Sequence, residues 1–220
     1  MLKKLSTYTL SFMATVVIPL DMKNRWTEIS FGKIPANTVT YAVNNLTVHV
    51  NKSASPLVFK LDSPLNIQSV EVSLKFNGDL TNKAENAKIE DDSVFRIGLV
   101  ASGDQTLTGI KKLFAPDWVK KLFALAPDGA GLDKIYFFNV GRLANQMGLS
   151  RAHPKSDLMH EEIVAIKNPD QNSLSFTKIF DKPIKSAALW ISIDGDDSQS
   201  KYDTIIENIT LHTADEVKGN

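Results

Sequence analysis

Three carboxylates stand within four residues of one short segment near the end of this 220-residue chain. Asp194, Asp196 and Asp197 follow a strand-like run, and Gly195 separates the first from the other two. Calcium prefers carboxylate oxygens, and Glu207 follows closely enough in sequence to supply a fourth carboxylate. Short Asp and Gly residues are also typical of a solvated hairpin turn, because they bond to their own backbone or accept positive φ angles. The sequence leaves the calcium site and the plain turn open as alternatives.

The run before this turn contains a second candidate, Trp190. Leu189 and Ile191 flank it, so alternation along a strand places the tryptophan on the face opposite to theirs. An outward tryptophan can stack on a sugar ring, because a large rigid aromatic side chain provides contact area at little entropic cost. The alternative is that an inserted helix or a long loop covers Trp190.

The sequence contains no motif for several other kinds of chemistry. The chain has no cysteine, which excludes disulfides, thiolate metal sites and cysteine nucleophiles. His153 and His160 are not at zinc spacing, and no nucleophile elbow, phosphate loop or nucleotide fingerprint occurs. Lys plus Arg equals Asp plus Glu at 25 each, and the absence of a basic excess argues against a nucleic-acid partner. Paired carboxylates for sugar hydrolysis could stand on different strands, where sequence does not show their separation.

The elements that must position these residues are β-strands. Apolar and polar residues alternate over successive runs from Trp26 onward, most clearly over 70–77, and Pro64 punctuates them. In the run around 95–99 the alternation points Arg96 outward, and the polar segment 79–92 is typical of a surface loop. Runs that are polar on one face predict antiparallel sheets. We therefore expect a mainly β fold, an antiparallel jelly-roll-like β-sandwich of about ten strands.

A short two-helix insertion is predicted near 104–126. Asp104 suits the start of the first helix, and Pro116 suits the first turn of the second. The second helix places Trp118 and Phe123 on one face, which can lie on the sandwich or contact a membrane or partner. We expect it to pack on its own domain, burying Trp118.

The start of the chain resembles a secretory signal. Lys3 and Lys4 precede an apolar run that ends near Ile18 and is too short to span a bilayer. The sequence thus predicts a targeting segment over 1–22, a single domain over 23–213 and a polar tail over 214–220. We expect a periplasmic or secreted location, or a cytoplasmic one if a first strand begins near Thr7 instead.

The stretch Trp190-Ile-Ser-Ile-Asp-Gly-Asp-Asp-Ser198, followed by Glu207-Asn-Ile-Thr-Leu211, resembles the ending of an uncharacterised family of exported bacterial β-sandwich domains. Its closing pattern is similar to that of galactose-binding-like jelly rolls, many of them carbohydrate-binding modules. By that resemblance the three aspartates correspond to the family's acidic turn, with Asp197 and Ser198 where Asn and Thr are expected. The resemblance implies the fold and export rather than an activity.

These patterns together predict a non-catalytic exported domain that binds a glycan or a cell-envelope component. One alternative is a glycan-acting enzyme that uses carboxylates on a sheet face. The other is an interaction or structural protein that docks through the helical insertion. We expect no transmembrane span, no nucleic-acid partner and no cofactor apart from calcium at the acidic turn.

Overall fold

The computed structural model describes residues 14–81, 91–106, 117–124, 131–153 and 156–214. Within these ranges the chain forms eleven strands, one α-helix and two single turns of 3₁₀-helix, which confirms the mainly β prediction. The strands are β1 (Thr15–Val17), β2 (Trp26–Glu28), β3 (Thr38–Ala42), β4 (Asn45–Asn51), β5 (Leu57–Asn77), β6 (Arg96–Gly103), β7 (Gly131–Gly141), β8 (Ser150–His153), β9 (Ser156–Ile166), β10 (Ser173–Ser192) and β11 (Lys201–Thr213). The helix, α1, spans Asp117–Phe123, and the 3₁₀ turns are Lys23–Arg25 and Ala144–Gln146.

All strands belong to one hydrogen-bonded sheet in the order β3-β4-β11-β5-β10-β6-β7-β9-β8, with β1 paired to β11 and β2 to β5. The prediction of purely antiparallel pairing is wrong at one place, because β7 and β9 run parallel. After β7 the chain passes beyond the position of β9, forms β8 at the edge and returns through an antiparallel β8–β9 hairpin. Alternation of apolar residues shows which face a side chain takes and does not show strand direction.

Two strands are much longer than the sequence predicts. Pro64 was expected to end a strand, yet β5 continues through it, and β10 likewise continues through Pro183. Both prolines lie where the ladder between β5 and β10 is interrupted, so neither removes a ladder hydrogen bond. At these interruptions the two strands pass from one layer of a sandwich to the other, as bent strands do at sheet corners.

Contacts between strands that are distant in the sheet order show the two layers. The rings of Phe138 in β7 and Phe180 in β10 have centroids 5.0 Å apart, and Thr204 Oγ1 in β11 donates to the carbonyl of Val94 at 2.8 Å. The first layer contains β1, β3, β4, β11, the end of β5 and the start of β10. The second layer contains β2, β6, β7, β8, β9, the start of β5 and the end of β10.

The main core lies between the layers and contains the predicted inward rows, such as 70–76 of β5 and 95–99 before and in β6. A second apolar cluster, the outer cluster, lies on the opposite face of the second layer. Its members are Ile29, Val58, Val100, Leu132, Ile135, Phe137, Met159, Ala188 and Trp190, with Phe31 and Phe123 packed against them. Leu189 and Ile191 belong to the main core and Trp190 to the outer cluster, so the predicted alternation along β10 is confirmed.

The helical insertion differs from its prediction. The second predicted helix is present as α1, and its half-buried Phe123 packs against the outer cluster. Asp104 does not start a helix, because the next residue, Gln105, exchanges two backbone hydrogen bonds with Leu132, at 2.9 and 3.0 Å. The rest of the first predicted helix, 107–116, and the side chain of Trp118 lie outside the described residues. One described helix therefore stands where two were expected.

The segment 14–20 belongs to the sandwich. Val16 pairs with Leu211 across β1 and β11, and Ile18 and Leu20 are buried in the main core. The indole of Trp26 donates to the carbonyl of Pro19 at 3.0 Å. Residues 15–20, which fall inside the predicted targeting segment 1–22, therefore pack as part of the domain. Residues 1–13 and 215–220 lie outside the described ranges, and the described helix is too short to cross a membrane.

Candidate functional site

A cavity of about 390 Å³ opens on the outer face of the second layer, and we call it the groove. Apolar and polar side chains from widely separated parts of the chain line it. They are Phe31, Ile34, Ala54, Asp91, Asp92, Arg96, Phe137, His153, Met159, Trp190, Ser192, Asp194, Asp196 and Asp197. The groove thus joins the predicted Trp190 and acidic turn to residues that the sequence did not single out.

The aromatic wall of the groove depends on a glycine in β6. Trp190 pairs with Gly98 across β10 and β6, and Phe137 of β7 pairs with Gly98 on its other side. A Cβ atom at Gly98 would lie 2.7 Å from the Phe137 ring, so any other residue at this position would displace the ring. The rings of Phe137 and Trp190 meet edge to face, with centroids 6.5 Å apart and an interplanar angle of 83°. Trp190 is only 3% exposed, so it lines the groove without offering an open face.

Arg96 forms the charged floor of the groove. The sequence placed it outward, and it does face away from the main core, but its side chain is only 7% exposed. It donates to the carbonyl of Asp91 at 2.5 Å and lies 3.5 Å from Glu161 Oε1 and 3.7 Å from Asp194 Oδ2. Arg96 Nε is buried and has no hydrogen-bond partner within the described part of the chain. A buried guanidinium between two carboxylates is the arrangement expected of a charge withdrawn from water.

Glu161 extends this charge network beneath the groove. Its side chain is fully buried and accepts from Arg151 Nε at 2.7 Å and from Asn139 Nδ2 at 3.3 Å. Arg151 also lies 3.3 Å from Asp91 Oδ1 at the surface. Opposite charges thus alternate from Asp194 through Arg96 to Asp91. The sequence did not reveal Glu161, and its only signal would have been a charge pair across the β8–β9 hairpin, where Arg151 stands opposite it.

The acidic turn is held by hydrogen bonds from several sides. Ser192 Oγ donates to both Asp194 carboxylate oxygens, at 3.0 and 3.1 Å, and Tyr202 donates to the Asp194 carbonyl at 2.9 Å. The Asp92 carboxylate accepts from the backbone amide of Ser198 at 2.6 Å and from that of Asp197 at 3.4 Å. Asp92 is only 8% exposed, although the sequence placed it at the end of a solvated loop. Residues 82–90 of that loop lie outside the described ranges.

The four predicted calcium ligands do not come together. Asp194, Asp196 and Asp197 line the groove, whereas Glu207 stands on the outer face of the first layer and pairs with Lys75 at 2.6 Å. Among the described residues no group of three or more metal-ligating side chains could hold an ion. Asp194 also faces the Arg96 guanidinium, whose positive charge opposes a bound cation at that carboxylate.

Burial shifts the pKa values of two side chains that line the groove, Asp194 and His153. Burial raises the pKa of Asp194 to about 6, and the charges of Asp92 and Asp196 add to the increase, while Arg96 and the Ser192 hydroxyl oppose it. Burial lowers the pKa of His153, and that histidine is therefore neutral at pH 7. His160, the other candidate in that segment, packs against the ring of Tyr136 instead, at 6.3 Å.

The raised pKa of Asp194 predicts a pH-dependent stability. The native state binds a proton here that the unfolded state releases, so this contribution is fully present below about pH 4 and is lost as the pH rises through about 6. Two pKa units correspond to about 3 kcal/mol. We expect the free energy of unfolding of the wild type, relative to that of Asp194→Asn, to fall by about 2–3 kcal/mol from pH 4 to pH 7. Urea unfolding at several pH values measures this difference, and parallel curves for the two proteins would contradict it.

Comparison with known proteins finds solved structures of low similarity. No family model matches the sequence, and no curated protein matches it. The xylan-binding module CBM15 is similar at a TM-score of 0.39 and 13% identity, covering 94% of this chain and 100% of that one. The exoplasmic/lumenal domain of VIP36, in its Ca²⁺/Man3GlcNAc-bound form, is similar at a TM-score of 0.40 and 9% identity, covering 95% of this chain and 93% of that one.

The xyloglucanase domain of NopAA from Sinorhizobium fredii, in complex with cellobiose, gives a TM-score of 0.38 at 8% identity, covering 92% of this chain and 98% of that one. All three TM-scores lie below 0.5. The assignment of the fold and of the groove therefore rests on the strands and side chains of this chain itself.

Proposed function

We propose that this domain binds a glycan in the groove and does not cleave it. The observation that carries the proposal is that aromatic rings and hydrogen-bonding groups line the same open cavity. The half-buried ring of Phe31 provides apolar contact for the C–H face of a sugar ring. Asp196 and Asp197 provide carboxylate acceptors for its hydroxyl groups. A pocket that is mostly apolar with a few converging polar groups is the usual form of a small-ligand site.

The floor of the groove supports a polar ligand. A buried donor without a partner costs free energy, and Arg96 Nε is such a donor within the described residues. A hydroxyl oxygen that reaches the floor, directly or through water, would satisfy it. The cavity volume of about 390 Å³ falls within the range of about 300–1,000 Å³ that is usual for such sites.

The way in which two carboxylates near the groove are held supports binding without cleavage. Glu161 is fully buried beneath the floor and bonded to Arg151 and Asn139, so it does not reach a ligand. The Asp92 carboxylate is bonded to two backbone amides of the acidic turn. These carboxylates serve to fix the walls of the groove.

Glycan hydrolysis is the second candidate, and one observation favours it. A carboxylic acid with a pKa of about 6 beside an open groove suits a general acid, and Asp194 has that pKa. Its partner would be a second carboxylate at the spacing that sugar hydrolysis requires. Release of reducing ends from a bound glycan, lost in Asp194→Asn, would establish this candidate in place of the first.

We also propose that the domain is exported. The basic start and apolar run at the beginning of the chain support this location, with any cleavage before β1. An exported domain is in contact with the cell envelope, where glycans and other envelope components are available as ligands.

Binding is expected to depend on Phe31. This half-buried ring lines the groove from the loop after β2, and removing it takes away an aromatic contact without emptying the main core. We expect Phe31→Ala to weaken glycan binding about tenfold, which corresponds to about 1.4 kcal/mol. Affinity electrophoresis in gels containing soluble polysaccharides, with a reducing-end assay on the same mixtures, measures retention and cleavage together.

The control is Ile179→Ala, which removes an exposed apolar side chain from the other layer. This variant is expected to bind as the wild type does. Equal retention of the wild type and Phe31→Ala, or no retention of the wild type by any polysaccharide, would contradict the proposed site.

A further inference from the structure

Negative charge exceeds positive charge around the groove. Six carboxylates line it or are bonded to its floor, and two guanidinium groups accompany them, which leaves an excess of four negative charges within the described ranges. The carboxylates are those of Asp91, Asp92, Glu161, Asp194, Asp196 and Asp197, and the guanidinium groups are those of Arg96 and Arg151. His153 adds no charge at pH 7. The local imbalance contrasts with the zero net charge of the whole chain.

Both guanidinium groups are already committed to carboxylates. Arg96 is shared between Glu161 and Asp194, and Arg151 between Glu161 and Asp91. An anionic sugar, such as a uronic acid, would have to compete with these partners and approach the aspartates of the turn at the same time. Like charges at short range in a partly buried site repel strongly.

The turn carries its carboxylates at the rim, where a ligand can reach them. Asp197 is exposed and Asp196 half-buried, and the amides of Asp197 and Ser198 are bonded to Asp92 behind them. This bonding fixes the direction in which the turn presents its side chains. The half-buried ring of Phe31 lines the same cavity, and aromatic faces attract cations.

We propose that the groove selects glycans that carry protonated amines, such as polymers of glucosamine, over neutral glycans and over polyuronates. This selectivity rests on the glycan-binding function proposed above. The ammonium group lies against the exposed carboxylate of Asp197, and the sugar ring lies against the half-buried ring of Phe31. Entry of a cation also reduces the mutual repulsion of Asp92, Asp194 and Asp196, which an uncharged sugar does not do.

Four oligosaccharides of equal length test the selectivity by isothermal titration calorimetry. They are hexamers of glucosamine, of N-acetylglucosamine, of glucose in β-1,4 linkage and of galacturonic acid, used at about pH 6, where the amine and the exposed aspartates are both charged. We expect the glucosamine hexamer to bind about tenfold more tightly than its N-acetylated form and the galacturonate hexamer to bind most weakly. The preference should decrease as salt is raised, because salt screens exposed charges.

Two variants locate the effect. Asp197→Asn is expected to reduce the preference for glucosamine over N-acetylglucosamine about threefold and to leave binding of the neutral hexamer unchanged. Asp170→Asn makes the same change at an exposed site in the loop between β9 and β10 and is expected to leave the preference unchanged. Equal binding of the amino and neutral hexamers, or tightest binding of galacturonate, overturns the selectivity while the glycan-binding function stands. No binding of any hexamer overturns both.

Discussion

Arg96→Met is expected to lower the free energy of unfolding by about 3–5 kcal/mol. The substitution keeps much of the side-chain volume and removes the positive charge that lies between Glu161 and Asp194. Glu161 keeps Arg151 and Asn139 as partners, but the Asp194 side chain is only 9% exposed, so water cannot replace the guanidinium that it loses. A buried carboxylate that loses its partner retains the full cost of leaving water. Urea unfolding followed by circular dichroism measures the loss.

Arg25→Met is the matched control. Arg25 pairs with Asp62 at 2.9 Å, but the two side chains are 35% and 88% exposed, so we expect a loss below about 1 kcal/mol. Replacing Asp194 by Asn in the Arg96→Met background removes the carboxylate charge that has lost its partner and is expected to restore part of the stability. If Arg96→Met loses no more stability than Arg25→Met, the buried network does not stabilise the fold as described.

Deletion of residues 1–22 is expected to destabilise the domain by about 4 kcal/mol or more relative to deletion of 1–13, which leaves β1, Ile18 and Leu20 in place. The longer deletion removes β1 from the side of β11 and takes Ile18 and Leu20 out of the main core. Full burial of each such side chain contributes about 1.5–3 kcal/mol. It also removes the Pro19 carbonyl that accepts the hydrogen bond of the Trp26 indole.

Urea unfolding of the two truncated proteins and of the full chain measures the difference in the free energy of unfolding. Similar midpoints for both truncations would show that β1 is dispensable and that the domain begins near residue 23. A large loss on deleting 1–13 alone would show that residues before Ala14 stabilise the fold.

Much of the fold was predictable because alternation depends only on neighbouring residues. The row from Val70 to Phe76 and the opposite faces of Leu189 and Trp190 were read from the sequence, and both are confirmed. The continuity of β5 through Pro64 was not predictable in this way. A proline is harmless where the ladder is already interrupted, and only the pairing of β5 with β10 shows where that is.

The candidate site was predictable only where its residues are close in sequence. Trp190 and the three aspartates of the turn stand within eight residues of each other, and all four line the groove. Glu207 was grouped with them by sequence distance, but β11 carries it to the other layer of the sandwich. Arg96 and Glu161 were missed because three strands must pair before these charges meet.

Amide chemical-shift changes during titration with the glucosamine and cellulose-type hexamers test the central claim most directly. Binding in the groove predicts saturable shifts that concentrate on three stretches, residues 31–34, 91–98 and 190–198, each of which contributes side chains to the lining of this cavity. The outer face of the first layer, around Lys75 and Glu207, should remain unshifted. Shifts centred on that face, or no saturable shifts with either hexamer, would contradict glycan binding in the groove.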